Sequence, residues 1–211
     1  MTLDFNEENH SYTLDGRPVP SVTEIVGLIT ARKYAETNAA MMAQAQRRGT
    51  EVHELCEAID CGVDPEELEI APELVGYVNA YLTFLRDYRP EWEYIEKPVY
   101  TLDYAGRIDR VGTIDGKTAI VDIKTTANMD RLSRIALLLQ LFLYREAFNF
   151  SVSAPGPAVK TMMGVQLKKD GTYTVHDTAK ILTKDLSRRD VYRILDSLLD
   201  ITNIIGGYEI V

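Results

Sequence analysis

The stretch from Arg107 to Thr125, RIDRVGTIDGKTAIVDIKT, constrains the chain more than any other. Asp115-Gly116 is a dipeptide favoured in two-residue hairpin loops, whose central residues need positive φ. The β-branched and apolar residues on either side read as two strands. A two-residue loop sets their register. Ile114 faces Lys117, Thr113 faces Thr118, and, counting outward, Asp109 faces Asp122. Opposed residues share a face, so two carboxylates meet there, and Lys124, two residues past Asp122, joins them. Val111 and Ile120 alternate onto that face; Ile108, Ala119, Val121 and Ile123 fall on the other. Apolar residues on both faces mark strands covered on both sides.

Two like charges in a partly desolvated place cost on the order of several kcal/mol unless a proton or a cation lies between them. Hard divalent ions favour such oxygen clusters. A lysine beside the ion can act on an attacking water or on developing negative charge. From these residues alone, a structural hairpin with its acids paired to Arg107, Arg110 and Lys124 reads equally well.

Other elements follow from local patterns. His10–Leu14, the turn Asp15-Gly16 and Arg17–Val19 read as an N-terminal hairpin. Ser21 and Glu24 have capping-box spacing and start a helix. Helical patterns follow over Ala35–Ile59, with a break expected at Gly49, and over Pro72–Asp87. Strands are expected within Glu93–Lys124, a buried helix over Arg131–Phe148, strands over Val159–Lys168 and Thr172–His176, and a last helix over Lys184–Ile205. This order indicates an α/β fold with a mixed sheet. It reads as one domain of 211 residues: an N-terminal hairpin and helices to residue 90, a sheet core with its buried helix over 91–180, and a C-terminal helix over 181–211.

Composition removes several classes. No apolar run reaches the roughly 20 residues of a membrane span. The start, MTLDFNEENH, lacks a basic stretch followed by an apolar one, so no secretory signal is expected. Two cysteines allow neither a disulfide framework nor four-thiolate iron–sulfur ligation, and three scattered histidines disfavour a structural zinc site. The net charge of −9 shows no overall basic footprint, yet binding depends on patches, and basic pairs such as Arg47-Arg48 recur.

Four sequence blocks resemble the PD-(D/E)xK nuclease superfamily, in particular its RecB-like and phage-exonuclease-like branch. They are RGTEVHEL with Gly49 and His53, GRID with Asp109, VDIKT with Asp122 and Lys124, and QLFLY with Gln140 and Tyr144. The opening HSYTLDGRPVPSVTEIVG is similar to that of phage-encoded members. The proline that gives the motif its name is replaced by Ile108.

The resemblance implies a restriction-endonuclease-like core, a mixed central sheet flanked by helices, and a DNA exonuclease that uses Mg²⁺ or Mn²⁺ and leaves 5′-phosphates. It implies that His53, Asp109, Asp122 and the carbonyl of Ile123 hold the ion. Lys124 would act on the water, with Gln140 and Tyr144 positioning the site. Arg47, Arg48, Arg107 and Arg131 are candidate DNA contacts. Glu96, on the preceding strand, reads as a surface or edge residue. The expected setting is the cytoplasm, the host's if the chain is phage-encoded, with no membrane. A phage single-strand annealing or recombination protein is an expected partner, and a homo-oligomer is possible. Two other readings stay open at this point: a catalytically inactive nucleic-acid-binding module of the same fold, and a metal-dependent hydrolase of a small phosphorylated substrate.

Overall fold

The computed structural model describes residues 1–6, 11–35, 38–152 and 159–208. Two sheets organise them. The first is antiparallel, with β1 (Leu3–Asn6), β2 (Ser11–Leu14) and β3 (Arg17–Val19) in that order. Asp15 and Gly16 take φ of 49° and 79°, the positive values that a tight hairpin turn requires. β1 is an addition to the expected hairpin: Leu3 and Phe5 alternate inward onto a small cluster with Tyr12, Leu14 and Val19. His10, where the hairpin was expected to begin, lies outside the described residues.

Helix α1 (Val22–Tyr34) begins at the Ser21–Glu24 capping box. Ser21 Oγ accepts from the Glu24 amide at 3.0 Å, and the Glu24 carboxylate accepts from the Ser21 amide at 2.7 Å. Helix α2 (Ala39–Asp60) runs unbroken through Gly49, so the break expected there does not occur. A single glycine lowers helix propensity without ending a helix whose neighbours are good helix formers. Helix α3 (Val75–Tyr88) ends at Arg89 in the left-handed conformation.

The second sheet holds β4 (Glu91–Tyr100), β5 (Ala105–Ile114), β6 (Lys117–Lys124), β7 (Thr161–Leu167) and β8 (Tyr173–Asp177), in that order. β6 and β7 are parallel and every other neighbouring pair is antiparallel. A parallel pair needs a long crossover, and the chain between them carries α4 (Arg131–Ser151). The C-terminal helix expected over Lys184–Ile205 is two helices, α5 (Thr178–Asp185) and α6 (Arg188–Gly206). Ser187 divides them. It caps α6 in a second capping box with Asp190, and a capping serine has non-helical backbone.

Side chains of α1, α4, α5 and α6 pack on one face of this sheet, around Val111, Ile120 and Met162. Side chains of α2 and α3 pack on the other, around Ala119, Val121, Ile123 and Val165. The result is a mixed five-stranded sheet flanked by helices, consistent with a restriction-endonuclease-like fold. One glycine sets how close α4 comes. Gly164 of β7 pairs with Asp122 of β6, and a Cβ there would lie 2.4 Å from Leu137 Cδ2 of α4. Lacking a side chain, Gly164 lets α4 settle over the sheet beside Asp122.

Candidate metal and active site

The β5–β6 hairpin keeps the expected register from Ile114↔Lys117 to Arg110↔Val121, and the ladder stops there. Asp109 and Asp122 would be the next pair, but they are not paired. In an antiparallel ladder of this register, the Ile123 amide would next donate to the Ile108 carbonyl. It donates instead to Asp109 Oδ2 at 2.6 Å. The Asp109 carboxylate thus wedges the strands apart and takes the place of a backbone acceptor. The Ile123 carbonyl, on the other side of the same residue, meets His53 Nε2 of α2 at 3.1 Å.

A second irregularity faces the wedge. By the β4–β5 register, Glu96 stands opposite Asp109, and neither residue is in the paired ladder. Glu96 has φ of 48°, an uncommon conformation for a non-glycine residue and one that costs of order 1 kcal/mol or more. Both strands change facing here. Tyr94 and Val99 pack on the α4 side although they are an odd number of positions apart, and so do Ile108 and Val111. The alternation that put Ile108 on the opposite face from Val111 is therefore overturned by the distortion at Asp109. Glu96 stands on the edge strand β4, as expected, but it is not a surface acid. Its side chain is 18% exposed and its carboxylate turns toward Asp109 and His53.

His53, Glu96 and Asp109 each offer one ligand atom, and these atoms lie within 4.8 Å of one another. His53 Nδ1 is 3.7 Å from Asp109 Oδ2 and 4.0 Å from Glu96 Oε1. These gaps are too long for hydrogen bonds. They fall between about 3.0 and 4.2 Å, the spacing of cis and trans ligands about 2.1 Å from one ion. A proton on His53 Nε2, donated to the Ile123 carbonyl, leaves the Nδ1 lone pair facing the two acids, the arrangement that orients a metal-binding histidine. The donors therefore fit a divalent ion. Burial, and after it the charge of Asp109, holds the Glu96 carboxyl above the usual carboxylate range.

Asp122 belongs to a second group beside this one. It is 1% exposed. Oδ1 accepts from Gln140 Nε2 of α4 at 2.9 Å and from Lys124 Nζ at 3.1 Å. Oδ2 lies 2.8 Å from Lys124 Nζ, an ion-pair contact outside hydrogen-bond geometry, and accepts no hydrogen bond. Burial raises the Asp122 carboxyl to about 6, with Lys124 opposing the shift and Asp109 adding to it. Gln140 Nε2 also lies 3.3 Å from the Tyr144 hydroxyl, and burial pushes that phenol well above its ordinary value. Gly106, the glycine of GRID, makes room for Tyr144: a Cβ there would lie 2.8 Å from Tyr144 Cε1.

Behind Glu96 lies an arginine that the sequence reading left with the hairpin's charge pairs. Arg110 is fully buried. Its Nη1 donates to Glu96 Oε1 at 3.1 Å and to the Asp109 carbonyl at 2.7 Å. Its Nε donates to Asp60 Oδ2 at the end of α2, at 2.5 Å. Asp60 also accepts from the Tyr81 hydroxyl at 2.5 Å and from Trp92 Nε1 at 3.1 Å. One guanidinium thus ties α2, which carries His53, to the strands that carry Glu96 and Asp109.

The four candidate DNA-binding arginines scatter. Arg47 is exposed on α2, six residues before His53. Arg48 is half-buried, with its guanidinium 5.8 Å from the centre of the Tyr77 ring of α3. Arg131 is exposed at the start of α4. Only Arg107 lies against the ion-binding group, with Nε 3.6 Å from Glu96 Oε2.

A sheet that parts to expose buried acids beside a histidine and a lysine defines a site built for a divalent ion and a water-borne displacement. The family model of the PD-(D/E)XK nuclease superfamily matches residues 25–205, and the chain belongs to that superfamily of metal-dependent nucleases. No curated protein matches it. Among solved structures, the crystal structure of SSO0001 is similar at 14% identity, covering 87% of this chain and 76% of that one, with a TM-score of 0.37, too loose a likeness to bear on function. Among the described residues, no helix is long and apolar enough to cross a membrane.

Proposed function

We propose that the protein is a DNA exonuclease that hydrolyses phosphodiester bonds to leave 5′-phosphates. The observation that carries the site is the convergence of His53, Glu96 and Asp109 on one point, next to a lysine ion-paired with Asp122. His53 Nδ1 and the carboxylates of Glu96 and Asp109 would hold Mg²⁺ or Mn²⁺. Asp122 Oδ2, which accepts no hydrogen bond, and the Ile123 carbonyl would be its further donors. When bound, the ion supplies positive charge to the nonbridging oxygens and acidifies a water.

The chain's own residues do the rest. Asp122 aims Lys124, and the 32% exposure of the Lys124 side chain lets it reach an incoming phosphate or the attacking water. Gln140 fixes the Asp122 carboxylate from above the sheet. Tyr144 stays a neutral phenol and braces Gln140. Likeness of the N-terminal stretch to phage-encoded members supports a role in phage-type recombination or DNA processing, beside an annealing or recombination protein.

The test is cleavage of end-labelled linear DNA with Mg²⁺ or Mn²⁺, against closed circular DNA and an EDTA control. Linear DNA should be consumed from its ends and circles spared. Asp109→Ala and Lys124→Ala should each lower the rate by at least about 100-fold, in the range of lost electrostatic stabilisation. Full-rate cutting by both variants rejects the site, and equal cutting of circles rejects the exonuclease reading.

A further inference from the structure

The ion-binding group opens onto a cleft of about 570 Å³ whose far wall is the first sheet. Glu96, Asp109 and Tyr144 form its inner end, and Phe5, Tyr12 and Arg107 its outer part. That outer wall is fixed to the catalytic sheet. The Ala105 amide donates to the Pro20 carbonyl at 3.0 Å, and Ser21 bridges Ala105, two residues before Arg107. Phe5 and Tyr12 pack ring against ring, with centroids 4.8 Å apart. The Arg107 guanidinium rests over Phe5, 5.0 Å from the ring centre. Its side chain is 42% exposed, and it donates a hydrogen bond to no described residue. Phe5 and Tyr12 precede the residues that the family model matches, so membership of the superfamily assigns this wall nothing.

We infer that this cleft is a subsite for one unpaired nucleotide next to the scissile phosphate, with its base stacked on the Arg107–Phe5 shelf. The inference rests on the nuclease reading, which fixes the phosphate at the ion-binding group. Its chemistry follows from the lining. A guanidinium plane propped on an aromatic ring is a platform on which bases stack without regard to sequence. Its N–H groups face a cleft that begins at the phosphate position. The volume is that of a small-ligand pocket. A base still stacked and paired in a duplex cannot turn into such a space without being flipped out. The cleft therefore selects strands whose base at that position is free: single strands, frayed ends and overhangs.

The test uses the full chain and short DNA oligonucleotides in which the nucleotide beside the cleaved bond is intact or abasic. For the wild type, removing that base should raise KM about tenfold, as expected for one stacked base. Arg107→Ala and Phe5→Ala should raise KM on the intact strand by a similar factor, and Phe5→Tyr should restore it. In Arg107→Ala the abasic substitution should have no further effect, because one stack cannot be lost twice. Wild type that cuts DNA but treats intact and abasic strands alike overturns the inference while leaving the nuclease reading intact, and it needs no variant to fold. Additive losses in Arg107→Ala overturn it as well. Wild type that cuts no DNA with either ion removes the nuclease reading and this subsite together.

Discussion

Asp122 is held in the site against its own charge. Its carboxyl is buried and prefers its proton, at about 6 against an ordinary 3.8. Because the folded state binds that proton more tightly than the unfolded one, the contribution to stability is present below pH 4 and is lost as pH rises through 6. Glu96 is shifted in the same direction, by burial first and then by Asp109. Through these two groups, metal-free protein should unfold at lower temperature at pH 7.5 than at pH 5, and Mn²⁺ should raise the melting temperature more at pH 7.5. Asp122→Asn should flatten this pH dependence and stabilise the metal-free protein at pH 7.5 by about 1–3 kcal/mol, while abolishing cleavage. Calorimetry with and without ion checks both. Arg110 lies at the other extreme. Its Nε and Nη1 are hydrogen-bonded to three partners while Nη2 has none among the described residues, and Arg110→Ala would leave Asp60 a buried charge without its cation and Glu96 with Arg107 alone. A loss of about 3–5 kcal/mol in urea unfolding is expected. A two-residue turn counts outward to Asp109, Asp122 and Lys124, so the sequence singles them out, although the ladder stops one pair short of the two aspartates. Glu96 is not legible in that way, because its place depends on a left-handed backbone at a non-glycine residue, and nothing local marks it.

Among the elements, α2 is the one whose path decides the site, since it brings His53 to the gap beside Ile123. Gly49 does not kink it. A Cβ at Gly49 would meet Thr125 Oγ1 at 3.8 Å, an ordinary contact. Gly49→Ala should therefore stabilise the protein by about 0.5–1 kcal/mol, as alanine does in a helix interior, measured by urea unfolding. Gly164 predicts the opposite. An added methyl meets the fully enclosed Leu137, so Gly164→Ala should cost about 1–3 kcal/mol and loosen the Gln140–Asp122 contact. Turns and caps made most element boundaries legible: Asp15-Gly16, Asp115-Gly116 and the Ser21–Glu24 box all act where they stand. Ser187–Asp190 is the same device, hidden inside an apolar periodicity that reads as one continuous helix. β1 is short, and only its pairing with β2 holds it as a strand.

For the whole molecule, the net charge of −9 sets how DNA can be approached. Acidic surface repels the strand at long range, so binding must rest on a bound ion and a few basic groups near it. Of the arginines expected to touch DNA, only Arg107 stands against the ion-binding group. Affinity for a single strand should then fall with log salt at a shallow slope, about −1 to −2, in place of the steep slope of a protein making many phosphate contacts; titrations at several salt concentrations check this. The seating of the first sheet has a wider consequence. The first sheet is seated by the Ala105–Pro20 hydrogen bond, the Ser21–Ala105 bridge, a hydrogen bond from Arg17 to the Leu102 carbonyl and packing on Tyr100 and Ala105, and among the described residues it donates no ligand atom to the ion-binding group. The part of the doorway that the first sheet supplies can therefore drift in sequence and alter which strand enters without touching a group that holds the ion.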